Sequence, residues 1–230
     1  YLQLSRISVA RLIRNVFLCA MFAVFSPPAF AQGAAQSATP ATNPALDQEN
    51  ILHLDLSTGG RVSIILFPKT APNHVERIKK LARDGFYNGI TFHRVIEGFM
   101  AQTGDPTGTG AGGSKLPDLK AEFSRSPHLR GTVSMAREGN NVDSANSQFF
   151  IVFQPKFSLD NDYTVFGRVI SGMQFVDGIK RGEPPAAPDR ILQASVAADQ
   201  KPEPNYNAAK QPAQQTQRIP EGSPAYANAG

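Results

Sequence analysis

The sequence of 230 residues contains one cysteine and no tryptophan. The cysteine, Cys19, lies in an N-terminal segment that we expect to be removed, so the mature chain would have no thiol and no disulfide. A chain without a thiol cannot use thiolate or redox chemistry. No Gly-x-Ser-x-Gly elbow of a serine hydrolase is present. None of the spacings of zinc sites occurs among the histidines, which are His53, His74, His93 and His128. We therefore expect neither a metal nor a cofactor.

Residues 1–31 have the organisation of a cleaved secretory signal. A segment with three arginines precedes an apolar run, Val16–Phe25, that is too short to span a bilayer. Ala29-Phe30-Ala31 then forms an Ala-x-Ala cleavage site before Gln32. We predict export to a bacterial periplasm and no stable membrane anchor after processing. The alternative is that the segment is retained as an anchor.

The charge of the chain depends strongly on this segment. The whole sequence has a formal net charge of +4, but residues 1–31 hold three arginines and no acidic residue. Their removal leaves 20 basic and 19 acidic residues, a net charge of +1. A nearly neutral chain does not indicate a nucleic-acid partner.

Composition divides the remaining chain into three parts. Residues 32–47 are rich in Ala, Thr, Ser, Pro and Asn, which is typical of a flexible linker. Residues 199–230 are rich in Pro, Ala, Gln and Asn with almost no large aliphatic side chain, which predicts a disordered tail. The folded domain is therefore predicted at 48–198, and we expect it to be a monomer.

Short strand patterns dominate the predicted domain. Residues 51–57 alternate leucine with polar residues, Thr58-Gly59-Gly60 predicts a turn, and residues 61–67 return as the hairpin partner. Six further segments have the same character, which predicts about eight strands: TFHRV, FMAQT, GTVSMA, SQFFIVF, YTVFGRV and RILQASV.

Two helical patterns interrupt the strands. The first has Thr70 as a candidate cap, Pro72 in its first turn and Gly85 at its end. The second starts at about Ser171, with an apolar stripe that includes Val176. Many short strands and two amphipathic helices predict a mainly β fold, a closed β-barrel with helices over its ends.

Two long runs carry the chemistry of the chain. Residues 92–113, FHRVIEGFMAQTGDPTGTGAGG, and residues 134–153, SMAREGNNVDSANSQFFIVF, together contain a fixed cation, two glutamines and a cluster of apolar side chains. This set includes no activated nucleophile, so it suits a reaction that breaks no covalent bond. The glycines also fit Gly-x-Gly-x-x-Gly, but no helical pattern follows them, which argues against nucleotide binding.

These runs, with LDNDYTVFGRVISGMQFVDGI at residues 159–179, resemble the cyclophilin family of peptidyl-prolyl cis/trans isomerases. The resemblance spans roughly His53 to Val196. It implies eight antiparallel strands in a closed barrel, two capping helices, and proline-containing polypeptides as partners. It also implies Arg94 and Gln102 as catalytic residues, and it implies a set of substrate-binding residues: Phe99, Met100, Ala136, Arg137, Gln148, Phe150, Leu159 and Tyr163.

Three positions differ from the best-known members of the family. Arg137 stands where they have asparagine, Tyr163 where they have a pocket histidine, and Ser158 where they have a pocket tryptophan. Taken singly, Phe99, Met100 and Phe150 also fit ordinary core positions. A second reading therefore stays open, a proline-peptide binding module or holdase chaperone with weak catalysis. Turnover of an X–Pro peptide separates the two.

Overall fold

A computed structural model describes residues 47–209 of the protein. The predicted signal segment, residues 32–46 of the predicted linker and residues 210–230 of the predicted tail lie outside the described residues. The fold and the candidate site both lie within residues 47–209.

The described chain contains eight strands, and each predicted strand segment overlaps one of them. In chain order the strands are as follows: β1 Ile51–Leu56, β2 Gly60–Leu66, β3 Arg94–Ile96, β4 Met100–Thr103, β5 Thr132–Met135, β6 Phe149–Val152, β7 Val165–Ser171 and β8 Ile191–Val196. Three α-helices accompany them: α1 Pro72–Arg83, α2 Met173–Asp177 and α3 Tyr206–Ala209. The mainly β fold with eight antiparallel strands is confirmed.

The strands form one curled antiparallel sheet in the order β3-β4-β6-β5-β7-β2-β1-β8. The prediction of a closed barrel is wrong, because within residues 47–209 the sheet ends at β3 and β8 with no ladder between them. Among the described residues, the two edges are joined by isolated bridges, Thr91 with Arg190 and Val95 with Gly182, and by single backbone hydrogen bonds such as that from Ile191 to the carbonyl of Ile90. The segment that precedes β8 contains Pro184, Pro185 and Pro188, and proline has no N–H to donate to a ladder.

Helix α1 begins in a different way from the sequence prediction. Ala71, and not Thr70, occupies the cap position, and its side chain makes no capping bond. The carboxylate of Glu122 accepts hydrogen bonds from the backbone N–H groups of Asn73 and His74, each at 3.1 Å. A residue almost fifty positions away therefore satisfies donors that sequence reasoning assigned to a local cap.

The second predicted helix is shorter than its pattern indicated. Ser171 ends β7, and α2 spans only five residues. Val176 is buried as expected and packs into the main core. Within that core, β1, β2 and α1 contribute more than half of the leucine, isoleucine and valine side chains.

The chain beyond β8 continues against the sheet edge as far as it is described. Tyr206 donates its hydroxyl to Asp55 at 2.7 Å, and Gln193 donates to the carbonyl of Pro202 at 3.0 Å. Asp55 is fully buried and also pairs with Arg61 through two bonds of 2.8 and 2.9 Å. Residues 199–209, which the composition assigned to the tail, thus include a specific contact with β1.

Candidate active site

One row of residues crosses the β3, β4 and β6 strands. Arg94 lies opposite Gln102, and Gln102 lies opposite Phe150. Directly opposed residues in an antiparallel sheet point to the same face, so the register alone brings a cation, an amide and an aromatic ring together. All three line a groove of about 580 Å³ on the face away from the main core.

The floor of this groove is a small apolar cluster of its own. Met100, Phe150 and Val152 are buried in it, while their strand neighbours Ala101 and Ile151 face the main core. Strand alternation with a period of two explains this division. Nine of the ten residues proposed from the sequence line the groove: Arg94, Phe99, Met100, Gln102, Ala136, Arg137, Phe150, Leu159 and Tyr163.

Gln148, the tenth residue, stands behind the row rather than in the groove. Its side-chain oxygen accepts a hydrogen bond from Gln102 at 2.9 Å. Its side-chain nitrogen donates to the carbonyls of Gly110 and Gly112 at 2.9 and 2.7 Å. Gln148 lines a second groove of about 390 Å³ that shares Gln102, Gly110, Ala136 and Arg137 with the first. Its contacts indicate that it orients Gln102.

Arg94 is held by a carboxylate that sequence reasoning missed. Its Nε donates to Glu183 at 2.7 Å, and the Arg94 side chain remains 43% exposed. Glu183 follows Gly182, which exchanges two backbone hydrogen bonds with Val95 at 2.8 and 2.9 Å. The two terminal nitrogens of the guanidinium have no partner among residues 47–209, so they are available to a substrate.

Arg137 and Tyr163 form one wall of the groove. The guanidinium carbon of Arg137 lies 4.7 Å from the centre of the Tyr163 ring. Arg137 also donates to the carboxylate of Asp162 at 2.7 Å, and its side chain is only 8% exposed. The ring of Tyr163 meets Phe150 edge-on at 5.7 Å. Two of the three positions at which the sequence differs from the family pattern are thus in direct contact, as a cation–π pair.

An Asp-His-Ser row lies against the floor, with Asp160 25% exposed and the other two side chains buried. His128 Nδ1 lies 2.8 Å from Asp160, and its Nε2 lies 3.0 Å from the hydroxyl of Ser134. Ser134 is fully buried and donates to the carbonyl of Thr164 at 2.9 Å, so it is not accessible as a nucleophile. The His128 ring stacks on Phe150 at 6.2 Å. The row therefore orients the floor.

His93 also lines the groove, next to Arg94. Strand alternation would direct the two side chains to opposite faces, but β3 begins at Arg94, so the alternation rule does not apply to His93. Burial lowers the pKa of His93 below its ordinary value of 6.5. The ring is accordingly neutral at pH 7.

The structure adds lining residues that no motif indicated. Glu183 and Pro184 reach the groove from the segment between α2 and β8, and Thr109 reaches it from the glycine-rich loop. Ser158 and Phe157 are not among the lining residues, and Phe157 is 63% exposed. Phe157 therefore does not replace the family tryptophan. Its exposure also leaves an apolar ring at the surface.

Two features are absent from the residues that the structure describes. Residues 47–209 contain no group of three or more His, Cys, Asp or Glu side chains arranged to hold a metal ion. Within the same residues, no helix has the length and apolar character needed to cross a membrane.

A family model described as "Cyclophilin type peptidyl-prolyl cis-trans isomerase/CLD" matches residues 53–196, more than half of the chain. A probable peptidyl-prolyl cis-trans isomerase of Brucella suis is 46% identical over 205 residues, which cover 82% of this chain and 98% of that protein. Peptidyl-prolyl cis-trans isomerase B of Bacillus subtilis is 44% identical over 130 residues, covering 56% of this chain and 89% of that protein.

Solved structures show the same similarity. A cyclophilin from Hirschia baltica superposes with a TM-score of 0.62 at 30% identity, covering 68% of this chain and 77% of that one. A cyclophilin-type isomerase of Cryptosporidium parvum, determined in the presence of the dipeptide Ala-Pro, gives a TM-score of 0.60 at 26% identity. It covers 64% of this chain and 98% of that one.

Proposed function

The chain belongs to the cyclophilin-type peptidyl-prolyl cis-trans isomerase family, and we propose that it accelerates X–Pro rotation in exported polypeptides of the cell envelope. The isomerase activity follows from the family. The cellular setting and the roles of individual residues are inferred from the signal segment and from the groove. The row Arg94–Gln102–Phe150, together with an apolar floor that includes Phe150 and is separate from the main core, is the observation that supports these roles.

The barrier to X–Pro rotation is the loss of amide resonance, about 18–20 kcal/mol. In the twisted transition state the proline nitrogen regains a lone pair, which accepts a hydrogen bond that the planar amide cannot accept. A donor aimed at that nitrogen therefore stabilises the transition state and not the ground state, which is the condition for acceleration. Arg94 supplies such donors from its terminal nitrogens, because Glu183 uses only Nε.

The remaining groups hold the substrate. Phe99, Met100, Phe150 and Leu159 form a concave apolar surface of the kind that accepts a proline ring. Gln102 presents an amide beside that surface and is itself held by Gln148. A charged hydrogen bond contributes about 1.5–3 kcal/mol, which corresponds to roughly a tenfold to hundredfold acceleration at 1.36 kcal/mol per decade. Orientation of the ring and the carbonyl supplies the rest.

A protease-coupled isomerisation assay on a short X–Pro peptide tests the role of Arg94. We expect Arg94→Ala to lower kcat/KM by about tenfold to hundredfold while the fold remains intact. The matched control is Arg181→Ala, which removes another arginine paired with a carboxylate at 2.7 Å but outside the groove lining. Turnover of Arg94→Ala within about threefold of the wild type would exclude the proposed donor.

The proposed export rests on the basic segment, the short apolar run and the Ala-x-Ala site before Gln32. Expression of the chain in a bacterial host, followed by mass spectrometry of the periplasmic fraction, tests this proposal. We expect a mature N-terminus at Gln32. An uncleaved segment in the membrane fraction would support the anchor instead, and it would leave the isomerase assignment unchanged.

A further inference from the structure

We propose that Asp105 is a positioning residue of the isomerase site, and that it acts through the glycine-rich loop on Gln148 and Gln102. This inference rests on the proposed function, because it assigns a role in the same groove. Asp105 itself does not line the groove.

Asp105 is a buried carboxylate held by backbone N–H groups and threonine hydroxyls of the glycine-rich loop. It is 1% exposed, and it accepts hydrogen bonds from the N–H groups of Thr107, Thr109 and Gly110 at 2.7, 3.0 and 2.6 Å. The hydroxyl of Thr107 donates to it at 2.8 Å, and the N–H of Gly112 donates as well. No lysine or arginine of residues 47–209 forms an ion pair with it. The hydrogen bonds from the loop therefore offset the free-energy cost of burying the charged carboxylate.

The pKa of the carboxyl agrees with this geometry. Burial alone would raise it, but the hydrogen bonds from Thr107, Gly110 and Gly112 lower the pKa of Asp105 to about 2. The carboxylate is consequently charged throughout the working range of an enzyme, and the loop remains closed around it.

The glycines of the loop are required by this carboxylate. A Cβ atom at Gly112 would lie 2.1 Å from Asp105 Oδ1, and Gly110 has a φ of +88°, which side chains rarely adopt. Successive N–H groups that converge on an anion form the same kind of nest that binds phosphate in nucleotide-binding loops. In this protein the anion belongs to the chain itself, which accounts for Gly110 and Gly112 in this loop without a nucleotide.

Gln148 connects the glycine-rich loop to the site through hydrogen bonds on both sides of its amide. The carbonyls of Gly110 and Gly112, two of the residues whose N–H groups bind Asp105, accept both hydrogen bonds from the Gln148 side-chain nitrogen. The Gln148 oxygen is thereby directed toward Gln102, at 2.9 Å. An unbroken series of hydrogen bonds thus connects the buried carboxylate with an amide that stands opposite Arg94.

A double-mutant cycle distinguishes positioning from simple structural support. We expect Asp105→Asn to lower kcat/KM by about tenfold, because the new NH₂ group faces N–H donors and the loop shifts. Gln148→Ala should lower it by a similar factor. If Asp105 acts through Gln148, the double variant should lose no more than the worse single variant. Losses that multiply would overturn the proposal.

The matched control is Asp189→Asn. Asp189 is also a buried carboxylate that accepts a backbone N–H and a hydroxyl, from Lys180 at 3.0 Å and Ser57 at 2.8 Å, but it is absent from the groove. We expect this variant to lower the denaturation midpoint and to leave kcat/KM within about twofold of the wild type. If Asp189→Asn lowered kcat/KM as much as Asp105→Asn does, destabilisation of the domain alone would explain the loss, and the positioning role of Asp105 would be overturned.

Thr107→Val provides a milder perturbation if Asp105→Asn does not fold. It removes one hydroxyl donor and keeps the backbone bond, so we expect about a twofold to threefold loss of kcat/KM that disappears in the Gln148→Ala background. A loss that persists in that background would overturn the proposal. If Arg94→Ala abolishes turnover while Asp105→Asn and Thr107→Val leave it unchanged, this inference fails and the proposed function stands.

Discussion

Replacing Phe150 with alanine should affect stability and substrate binding together. Phe150 is 5% exposed and belongs to the groove floor, with His128 stacked on one face and Tyr163 at its edge. The residue before it in β6, Phe149, points into the main core instead. Two adjacent phenylalanines on opposite faces of one strand therefore provide a matched pair.

The expected magnitudes follow from these two environments. A buried Phe→Ala change costs about 3–5 kcal/mol of unfolding free energy. We expect about 3 kcal/mol at Phe150, since one side of its ring already faces the groove, and about 4–5 kcal/mol at Phe149, which packs against Tyr87 and Phe166. Domains of this kind have about 5–15 kcal/mol of stability, so Phe150→Ala should remain folded.

The effect on binding should separate the two variants. Loss of the ring removes apolar surface that would cover proline, and about 1–2 kcal/mol of lost contact corresponds to roughly a fivefold to thirtyfold rise in KM. Phe149→Ala should leave KM unchanged. Urea denaturation measures the unfolding free energy, and the protease-coupled assay at several peptide concentrations measures KM.

Two results would refute this reasoning. An unchanged KM in Phe150→Ala would show that the ring does not contact the substrate. An equal rise in KM in both variants would show that the assay reports general loosening of β6 rather than loss of the floor. Phe150→Leu serves as the conservative control, and we expect it to recover at least half of the lost affinity.

Three further outcomes are expected. Stability should fall as pH decreases from 7 to 5, because burial lowers the folded-state pKa of His53, His74 and His93. The unfolded chain therefore binds more protons than the folded chain below pH 6.5. Urea midpoints at both pH values test this, and an unchanged midpoint would contradict it. Turnover should stay nearly constant between pH 7 and 9, and a bell-shaped profile would instead implicate a titrating group. Cyclosporin should bind less tightly to this protein than to cyclophilins with the pocket tryptophan, and Ser158→Trp should recover affinity. Calorimetric titration measures both affinities. Equal affinity of the wild type and Ser158→Trp would place the tryptophan position elsewhere.

The sequence alone predicted the strands and most of the groove. Alternation of leucine with polar residues in β1 depends on the period of an extended chain, which is a local property. The two motif runs contain Arg94, Gln102 and Phe150 in short stretches, so a resemblance to a known family could assign them before any pairing was known. The shared face of these residues also follows once β3, β4 and β6 are in register.

Only the tertiary structure decided which distant groups complete the site. Glu183 reaches Arg94 from 89 positions away, and Glu122 caps α1 from 49 positions away. Whether the sheet closes likewise depended on the segment before β8 and its prolines, rather than on the number of strands.

The role of Asp105 is the clearest case of a contact that the sequence alone does not predict. Its carboxylate and the glycine-rich loop are neighbours in the sequence, yet the pattern of glycines equally suits a bound phosphate. The structure shows the carboxylate inside the loop and Gln148 against its outer carbonyls. Local periodicity determines the elements, because each residue there contacts its chain neighbours. Hydrogen bonds between loops depend on how the whole sheet curls, and no short stretch of sequence contains that information.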